Sequence, residues 1–145
     1  MAEVAVADRL LCLELFARYA WALDTHDVEA YVALFAPEGF TEMPGLGRFQ
    51  GAARLREYGH SLTDDPRYKG RQHWCAQSVF EADGDAIRVK SYGSITYRNP
   101  ETKETGILGT GYYLDRLVKV DGKWRFAERV WNRWEGDILK GFGQH

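Results

Sequence analysis

Two residues of this chain, Asp24 and His73, have the side chains and the setting needed for general-base chemistry. Asp24 closes an amphipathic segment in ARYAWALDTHD, and His73 opens the strand-like run RQHWCAQSVFEA. A carboxylate that orients a neutral imidazole produces a base that works near neutral pH. The sequence contains no nucleophile elbow, glycine-rich phosphate loop or metal-ligand spacing. The pair therefore points to removal of a proton from a substrate.

Each of the two residues also has a purely structural explanation. Asp24 lies where a helix should end, and the helix dipole disfavours a carboxylate there, so it either forms a turn with Thr25–Asp27 or serves a partner. A histidine in an apolar strand is more often a hydrogen-bonded core group than a base. Strand alternation puts Arg71 on the face of His73 and Trp74 on the opposite face. These segments alone leave both explanations open.

The overall composition limits the classes of function. The 145 residues suffice for one domain, residues 1–145, with a real core, and the net charge of -2 gives no basic surface for nucleic acid. No apolar run approaches the length of a bilayer span, and the N-terminus lacks the basic region of a signal peptide. Cys12 and Cys75 form no CxxC pair, which favours a reduced, cytoplasmic setting. We expect a small-molecule substrate, and neither a metal, a cofactor, a membrane nor a nucleic acid.

The first half of the chain reads as helical. Leu11, Leu15, Tyr19 and Leu23 recur at helical spacing and predict a helix over residues 4–23. A second helix is predicted over Val28–Phe35, ended by Pro37 and Gly39. The remaining expected elements are a short strand, Phe40–Met43, a turn-rich link, PGLGRFQG, and a third helix from Gln50 to about Leu62.

The second half reads as strands. Asp121-Gly122 lies between two apolar runs and is a strong hairpin signal. Helices followed by an antiparallel meander predict an α+β fold, with a strongly curved sheet wrapped around the helices. Residues 138–145 are expected to form a loose tail or a pocket lid. The four predicted long strands are Arg71–Ala82, Ala86–Tyr97, Gly106–Val120 and Lys123–Trp134.

The last two strands carry further candidates for a site. Strict alternation in WRFAERVWNRW puts Arg129 and Trp131 on one face and Phe126 on the other. An arginine that points inward is expensive unless it is paired, so it is a functional candidate, whereas Arg125 and Arg133 are expected in solvent or in a subunit interface. In the preceding strand, Gly109, Gly111 and Tyr113 share a face. The two glycines either leave room for a ligand or mark a bend in the sheet.

Several segments together resemble the SnoaL-like branch of the nuclear transport factor 2-like superfamily, over nearly the whole chain. They are RLLCLELFARYAWALDTHDVEAYVALFAPEG, GRFQG before a helix, RQHWCAQSVFEADGD and YYLDRLVKVDGKWRFAER. The resemblance implies an α+β cone, in which a curved, mostly antiparallel sheet and N-terminal helices enclose a pocket. Within the branch the chain is most similar to cofactor-independent lyases of the scytalone dehydratase, hexachlorocyclohexane dehydrochlorinase and bile-acid dehydratase type.

The resemblance also implies roles for four residues. In such lyases an aspartate at the end of the first helix orients a histidine on the strand after the third helix, and Asp24 and His73 match these positions. Arg129 matches an arginine that follows the W-x-F motif of the dehydrochlorinase. Tyr19 replaces that enzyme's lysine and resembles the phenols with which the dehydratases bind or protonate an oxygen. The substitution favours an oxygen-bearing substrate over one that loses chloride.

The sequence therefore predicts a lyase that acts on a small hydroxylated, aromatic substrate with loss of water or formaldehyde. An isomerase or polyketide-cyclase-like enzyme with the same base is one alternative, and a non-catalytic binding module or dioxygenase small subunit is another. The resemblance implies a homo-oligomer, with a trimer favoured and a dimer as the alternative. The residues expected to bind substrate are Trp131, Tyr113, Tyr92, Gly109, Gly111, Arg71 and Leu23.

Overall fold

The computed structural model describes residues 3–135 and 140–142. Three α-helices are present: α1 (Val6–Asp24), α2 (Val28–Val32) and α3 (Gly51–Thr63), with a short 3-10 turn at Pro66–Tyr68. None of the helices in these described ranges is long and apolar enough to cross a bilayer. The strands are β1 (Phe35–Met43), β2 (Gly47–Gln50), β3 (Arg71–Asp83), β4 (Ala86–Arg98), β5 (Thr105–Val120) and β6 (Lys123–Arg133).

The six strands form one sheet in the order β2-β1-β6-β5-β4-β3, so β3 lies at an edge. All neighbours pair antiparallel except β1 and β6, which run parallel. The apolar side of α1 packs on one face of this sheet, which we call the inner face; Phe16 stacks on Phe126 with ring centroids 5.9 Å apart. The α+β class, with helices before a curved and mostly antiparallel sheet, is confirmed.

The segment between α2 and α3 differs from the prediction. The second helix ends at Val32, and β1 already begins at Phe35 because its backbone joins β6 there. The register between β1 and β6 shifts between Phe35 and Phe40, and Pro37, which cannot donate a hydrogen bond, lies in that irregular stretch. Gly39 lies there too, where an added Cβ would be 2.4 Å from the carbonyl oxygen of Phe126. The predicted helix breakers therefore belong to a bulged strand.

The turn-rich link contains a strand that the sequence did not indicate. β2 folds back on β1 through a tight turn, in which Gly45 and Gly47 have φ values of 80° and 85°. Glycine adopts these angles without strain. A four-residue strand among glycines carries almost no alternation of apolar and polar residues, which is why periodicity missed it.

A bulge in β6 decides which side chains face inward. Arg116 of β5 pairs with Glu128, but the next residue, Leu117, pairs with Phe126, so Ala127 has no partner. Such an extra residue shifts the alternation of the strand by one position. As a result Phe126 shares the inner face with Arg129 and Trp131, and the strict alternation predicted for this strand is wrong at Phe126. Both Phe126 and Arg129 are completely buried.

Part of the predicted tail lies on the opposite, outer face of the sheet. The guanidinium of Arg88 on β4 donates a hydrogen bond to the carbonyl oxygen of Phe142, and the amine of Lys90 donates one to the carbonyl oxygen of Gly141. Residues 140–142 are thus held on the far side of β4 from His73. The rest of the predicted tail, residues 138, 139 and 143–145, falls outside the described residues.

Candidate active site

Asp24 and His73 are in direct contact, although 49 positions separate them in the chain. Asp24 is the last residue of α1, and its Oδ1 lies 2.6 Å from Nδ1 of His73 near the start of β3. Its second oxygen, Oδ2, accepts a hydrogen bond of 2.8 Å from the backbone N–H of the same histidine. One carboxylate therefore fixes both the ring and the main chain of His73.

This arrangement determines which nitrogen of the imidazole is available. A carboxylate beside Nδ1 favours the tautomer in which Nδ1 carries the hydrogen and donates it. Nε2 then presents its lone pair, and no residue within the described parts of the chain forms a hydrogen bond with it. The imidazole is about one-eighth exposed, with 13% of its side-chain surface accessible. His73 can thus accept a proton at Nε2.

A cleft of about 720 Å³ runs between α1 and the edge strand β3, and the Asp24–His73 pair lies in its wall. This volume is in the range of small-molecule sites. The helix supplies a mostly apolar side that includes Trp21, which is more than half exposed, whereas Trp74 borders the cleft on β3 with its indole on the opposite, outer face of the strand, hydrogen-bonded to Thr96. The remaining lining comes from Leu13, Phe16, Ala17, Ala20, Thr25, Gly70, Arg71, Gln72 and Cys75.

Tyr19 lies on the inner side of the histidine. Its ring stands edge-on to the imidazole with centroids 6.1 Å apart, and it is 2% exposed. Burial raises the pKa of the Tyr19 hydroxyl, and the nearby Arg129 guanidinium offsets part of that rise. Tyr19 is therefore a neutral phenol at physiological pH, able to donate a hydrogen bond.

Arg129 is completely buried and paired with Asp115, a residue that the sequence analysis missed. Its Nη1 donates to Oδ2 of Asp115 over 2.8 Å, and neither side chain is exposed. The guanidinium carbon lies 3.7 Å from the ring centre of Tyr113 and 4.2 Å from that of Tyr19. The predicted direct contact of Arg129 with substrate does not fit this burial, since the guanidinium lies over the rings of Tyr19 and Tyr113 and is not exposed.

The electrostatics of this pair follow from its burial. Burial lowers the pKa of Arg129, but the Asp115 carboxylate together with Tyr113, Cys75 and Tyr19 outweighs this effect, so the net pKa is raised and the guanidinium stays charged. Burial raises the pKa of the Asp115 carboxyl, and Arg129 offsets only part of that rise. Nε and Nη2 of Arg129 and Oδ1 of Asp115 are buried and lack a hydrogen-bond partner in the described parts of the chain. The pair is a polar spot in an apolar interior.

The structure distributes the predicted substrate-binding residues over several places. Arg71 lines the cleft, and its guanidinium stacks 3.3 Å from the ring centre of Tyr68. Tyr113 and Trp131 pack together on the inner face with ring centroids 4.8 Å apart. Leu23 is buried in the core and not in the wall of the cleft, which corrects the prediction that it contacts the substrate.

Two further predictions about this set need correction. Tyr92 points to the outer face of the sheet, is 55% exposed and packs edge-on against Trp134, because alternation in β4 puts it opposite its neighbour Gly93. It is therefore remote from His73. Gly111 leaves room for the protein and not for a ligand, because a Cβ there would collide with the backbone carbonyl oxygen of Asn132 and lie 2.8 Å from the ring of Trp131.

The remaining lining residues were not predicted because α1 is apolar on both sides. Leu13, Ala17 and Trp21 follow helical spacing just as the core residues do, so spacing alone does not tell the cleft side from the core side.

No group of three or more histidine, cysteine, aspartate or glutamate side chains within residues 3–135 and 140–142 is placed to hold a metal ion.

Comparisons with known proteins give the following similarities. A profile of the SnoaL-like domain matches residues 4–130, whereas no curated protein sequence is significantly similar to the chain. A Mycobacterium tuberculosis protein of unknown function is 32% identical over 92% of this chain and 73% of that chain, with a TM-score of 0.79. A Nostoc punctiforme protein of unknown function with a cystatin-like fold is 27% identical over 90% of this chain and 93% of that chain, also with a TM-score of 0.79.

A third similar structure is more distant in sequence. It is a Novosphingobium aromaticivorans protein provisionally assigned as a scytalone dehydratase, and it is 19% identical to this chain. The match covers 97% of this chain and 96% of that chain, with a TM-score of 0.75. At this identity the similarity shows a shared fold.

Proposed function

Because the chain belongs to the SnoaL-like domain family, we propose that it is a lyase that works without a cofactor on a small hydroxylated aromatic compound. The observation that carries the proposal is the pair of hydrogen bonds between the Asp24 carboxylate and the ring and backbone N–H of His73. They leave Nε2 of the imidazole free at a cleft of substrate size. A non-catalytic binding module has no need of such a pair. The distant structural match to a provisionally assigned dehydratase is consistent with elimination chemistry.

In the proposed reaction, Nε2 of His73 takes a proton and Asp24 stabilises the imidazolium that results. For loss of water, the proton comes from carbon, the C–H electron pair forms a double bond, and the neighbouring C–O bond breaks. For loss of formaldehyde, the proton comes from a hydroxyl, a carbonyl forms, and the C–C bond breaks with its electron pair left on the substrate. The imidazolium then returns its proton to the departing oxygen or to the carbanion.

Tyr19 is the proposed hydrogen-bond donor to the oxygen that gains charge; because it is 2% exposed and does not line the cleft, this role requires the reacting oxygen to reach past His73 to the Tyr19 hydroxyl. It is a neutral phenol placed edge-on to the base, and a preorganised donor of this kind is worth most where water is excluded. The Arg129 guanidinium lies over the Tyr19 ring and is buried, so we assign Arg129 as a positioning residue that holds Tyr19. This replaces a direct contact between Arg129 and the substrate.

The nature of the product tests the class of reaction. Incubated with hydroxylated aromatic compounds, the protein is expected to convert at least one into a product lighter by one water or one formaldehyde. Mass spectrometry of the products measures this directly. A product of unchanged mass would instead identify an isomerase or a polyketide-cyclase-like enzyme using the same base.

Self-association is a further expectation, because the outer face of the sheet is unusually apolar. Trp74, Tyr92, Ile107 and Trp134 are each roughly half exposed or more on this side of the molecule. Light scattering is expected to give three times the 16.6 kDa chain mass, with twice that mass as the alternative. Tyr92→Glu should lower the mass, whereas Arg18→Glu on the exposed side of α1 should not. A monomer at all concentrations would contradict the expectation.

A further inference from the structure

Two glycines on the inner face, Gly93 of β4 and Gly111 of β5, are required by their neighbours: side chains alone crowd Gly93, whereas both the backbone carbonyl oxygen of Asn132 and a side chain crowd Gly111. Neither has a positive φ, so any residue could adopt its conformation. Glycine weakens a strand, and its presence in a strand interior often marks the close approach of another group. The side chain that approaches both glycines is Trp131: an added Cβ would lie 2.3 Å from its Cζ3 at Gly93 and 2.8 Å from its Cζ2 at Gly111. The indole therefore lies across two neighbouring strands.

The indole is also held from the side. The ring of Tyr113 meets it at an interplanar angle of 60°, and a Cβ at Gly93 would lie 2.7 Å from Cε2 of that tyrosine. The tyrosine itself is fixed by the Arg129 guanidinium 3.7 Å from its ring centre. Trp131 is thus an aromatic wall whose orientation is set before any ligand arrives.

Next to this wall the inner face is open. At Gly109, two residues before Gly111 in β5, no heavy atom of the described residues lies within 4 Å of an added Cβ. The strand register places Gly109 opposite Ile95, and Ile95 opposite His73. Since neighbouring strands are about 4.8 Å apart, Gly109 lies roughly 10 Å from the base across the sheet. This is the span of a small ring system.

We propose that Gly109, Ile95 and the indole of Trp131 form the seat of the flat aromatic ring of the substrate, with the reacting atom towards His73. The seat rests on the proposed function for the chemistry at His73, but binding of the ring does not require the base. Stacked and edge-on contacts with an indole favour a planar aromatic ring over a saturated ring of the same size. Gly93 then affects substrate specificity because it makes room for the indole of Trp131. Gly109 affects it because it leaves space over β5 for the ring.

Isothermal titration calorimetry with 2-naphthol and with its saturated analogue decahydro-2-naphthol tests the seat. The wild-type protein is expected to bind 2-naphthol at least about fivefold more tightly than the saturated alcohol. Gly109→Val puts a side chain into the open space without a collision at Cβ and should weaken 2-naphthol binding at least about tenfold. Thr110→Val, the adjacent residue on the exposed outer face, is the matched control and should bind as wild type.

Two more variants separate the possible outcomes. Gly93→Ala should displace the indole and also weaken 2-naphthol binding, and if it fails to fold, Gly109→Val still decides. His60→Ala, at an exposed position on α3, should bind 2-naphthol within about twofold of wild type. Unchanged binding in Gly109→Val, equal affinity for the two alcohols, or no binding of 2-naphthol by wild type would each overturn the seat. If the expected binding pattern is found but no aromatic substrate is converted, the seat is supported and the proposed lyase activity is contradicted.

Discussion

Replacing His73 with alanine is expected to lower kcat by about two to four orders of magnitude while the protein keeps its fold, since general-base catalysis contributes about this much. Asp24→Asn should cause a loss of similar size for a different reason. An amide can still occupy the position beside Nδ1 and the backbone N–H, but it carries no charge to stabilise the imidazolium and can favour the wrong tautomer. The substrate that gives the predicted product mass is the one to use.

The chain supplies a matched control for this experiment. His60 and Asp64 form a second histidine–aspartate pair on the surface of α3 and its C-terminal end, with Nδ1 and Oδ2 3.5 Å apart and both side chains more than half exposed. His60→Ala and Asp64→Asn should leave kcat unchanged. Circular dichroism and thermal unfolding verify the fold of all four variants. A kcat within about threefold of wild type for His73→Ala or Asp24→Asn would rule out the proposed mechanism.

The largest loss of stability is expected from Asp115→Ala, at about 3–5 kcal/mol in the free energy of unfolding. The change removes the only ion-pair partner that Arg129 has among the described residues, and it leaves a charged guanidinium with no solvent-exposed surface. The rings of Tyr19 and Tyr113 face the guanidinium, but their attraction replaces only part of what the carboxylate provides. Urea unfolding followed by fluorescence measures the difference.

Two further measurements test whether the loss comes from burial of an unpaired charge. Glu14→Ala removes the partner of Arg18 in an exposed ion pair and should cost no more than about 1 kcal/mol. The double variant Asp115→Leu with Arg129→Met removes both buried charges and should recover most of the stability. If Asp115→Ala costs less than about 1 kcal/mol, or if the double variant is as unstable as the single one, this account of the pair is wrong.

The parts of the fold that depend on local pattern could be predicted from the sequence. The helix over residues 4–23 agrees with α1 within two residues at its start and one at its end, and the four long strands lie within about the same margin at most of their ends. Helical spacing and strand alternation are visible in a single segment, as is the Asp121-Gly122 turn. The contact of Asp24 with His73 was expected from family resemblance, since no local rule joins residues so far apart.

The Asp115–Arg129 pair could not be predicted, and the reason is the bulge. Counting back from the Asp121-Gly122 turn pairs Asp115 with Glu128, a like charge, which conceals its role. The unpartnered Ala127 shifts the register by one, so that Asp115 faces Arg129. A bulge forms where the packing of the whole sheet favours it, and single-strand patterns carry little sign of that.

The same carboxylate that orients the base also affects how the sheet ends. β3 is an edge strand, and the backbone N–H groups of such a strand can pair with a strand from another molecule. Asp24 occupies the N–H of His73 with one oxygen while it holds the imidazole with the other. The C-terminal end of α1 is thereby hydrogen-bonded to the start of the exposed edge strand β3. The pair that we propose for catalysis thus also removes one backbone N–H of this edge from pairing with a strand of another molecule.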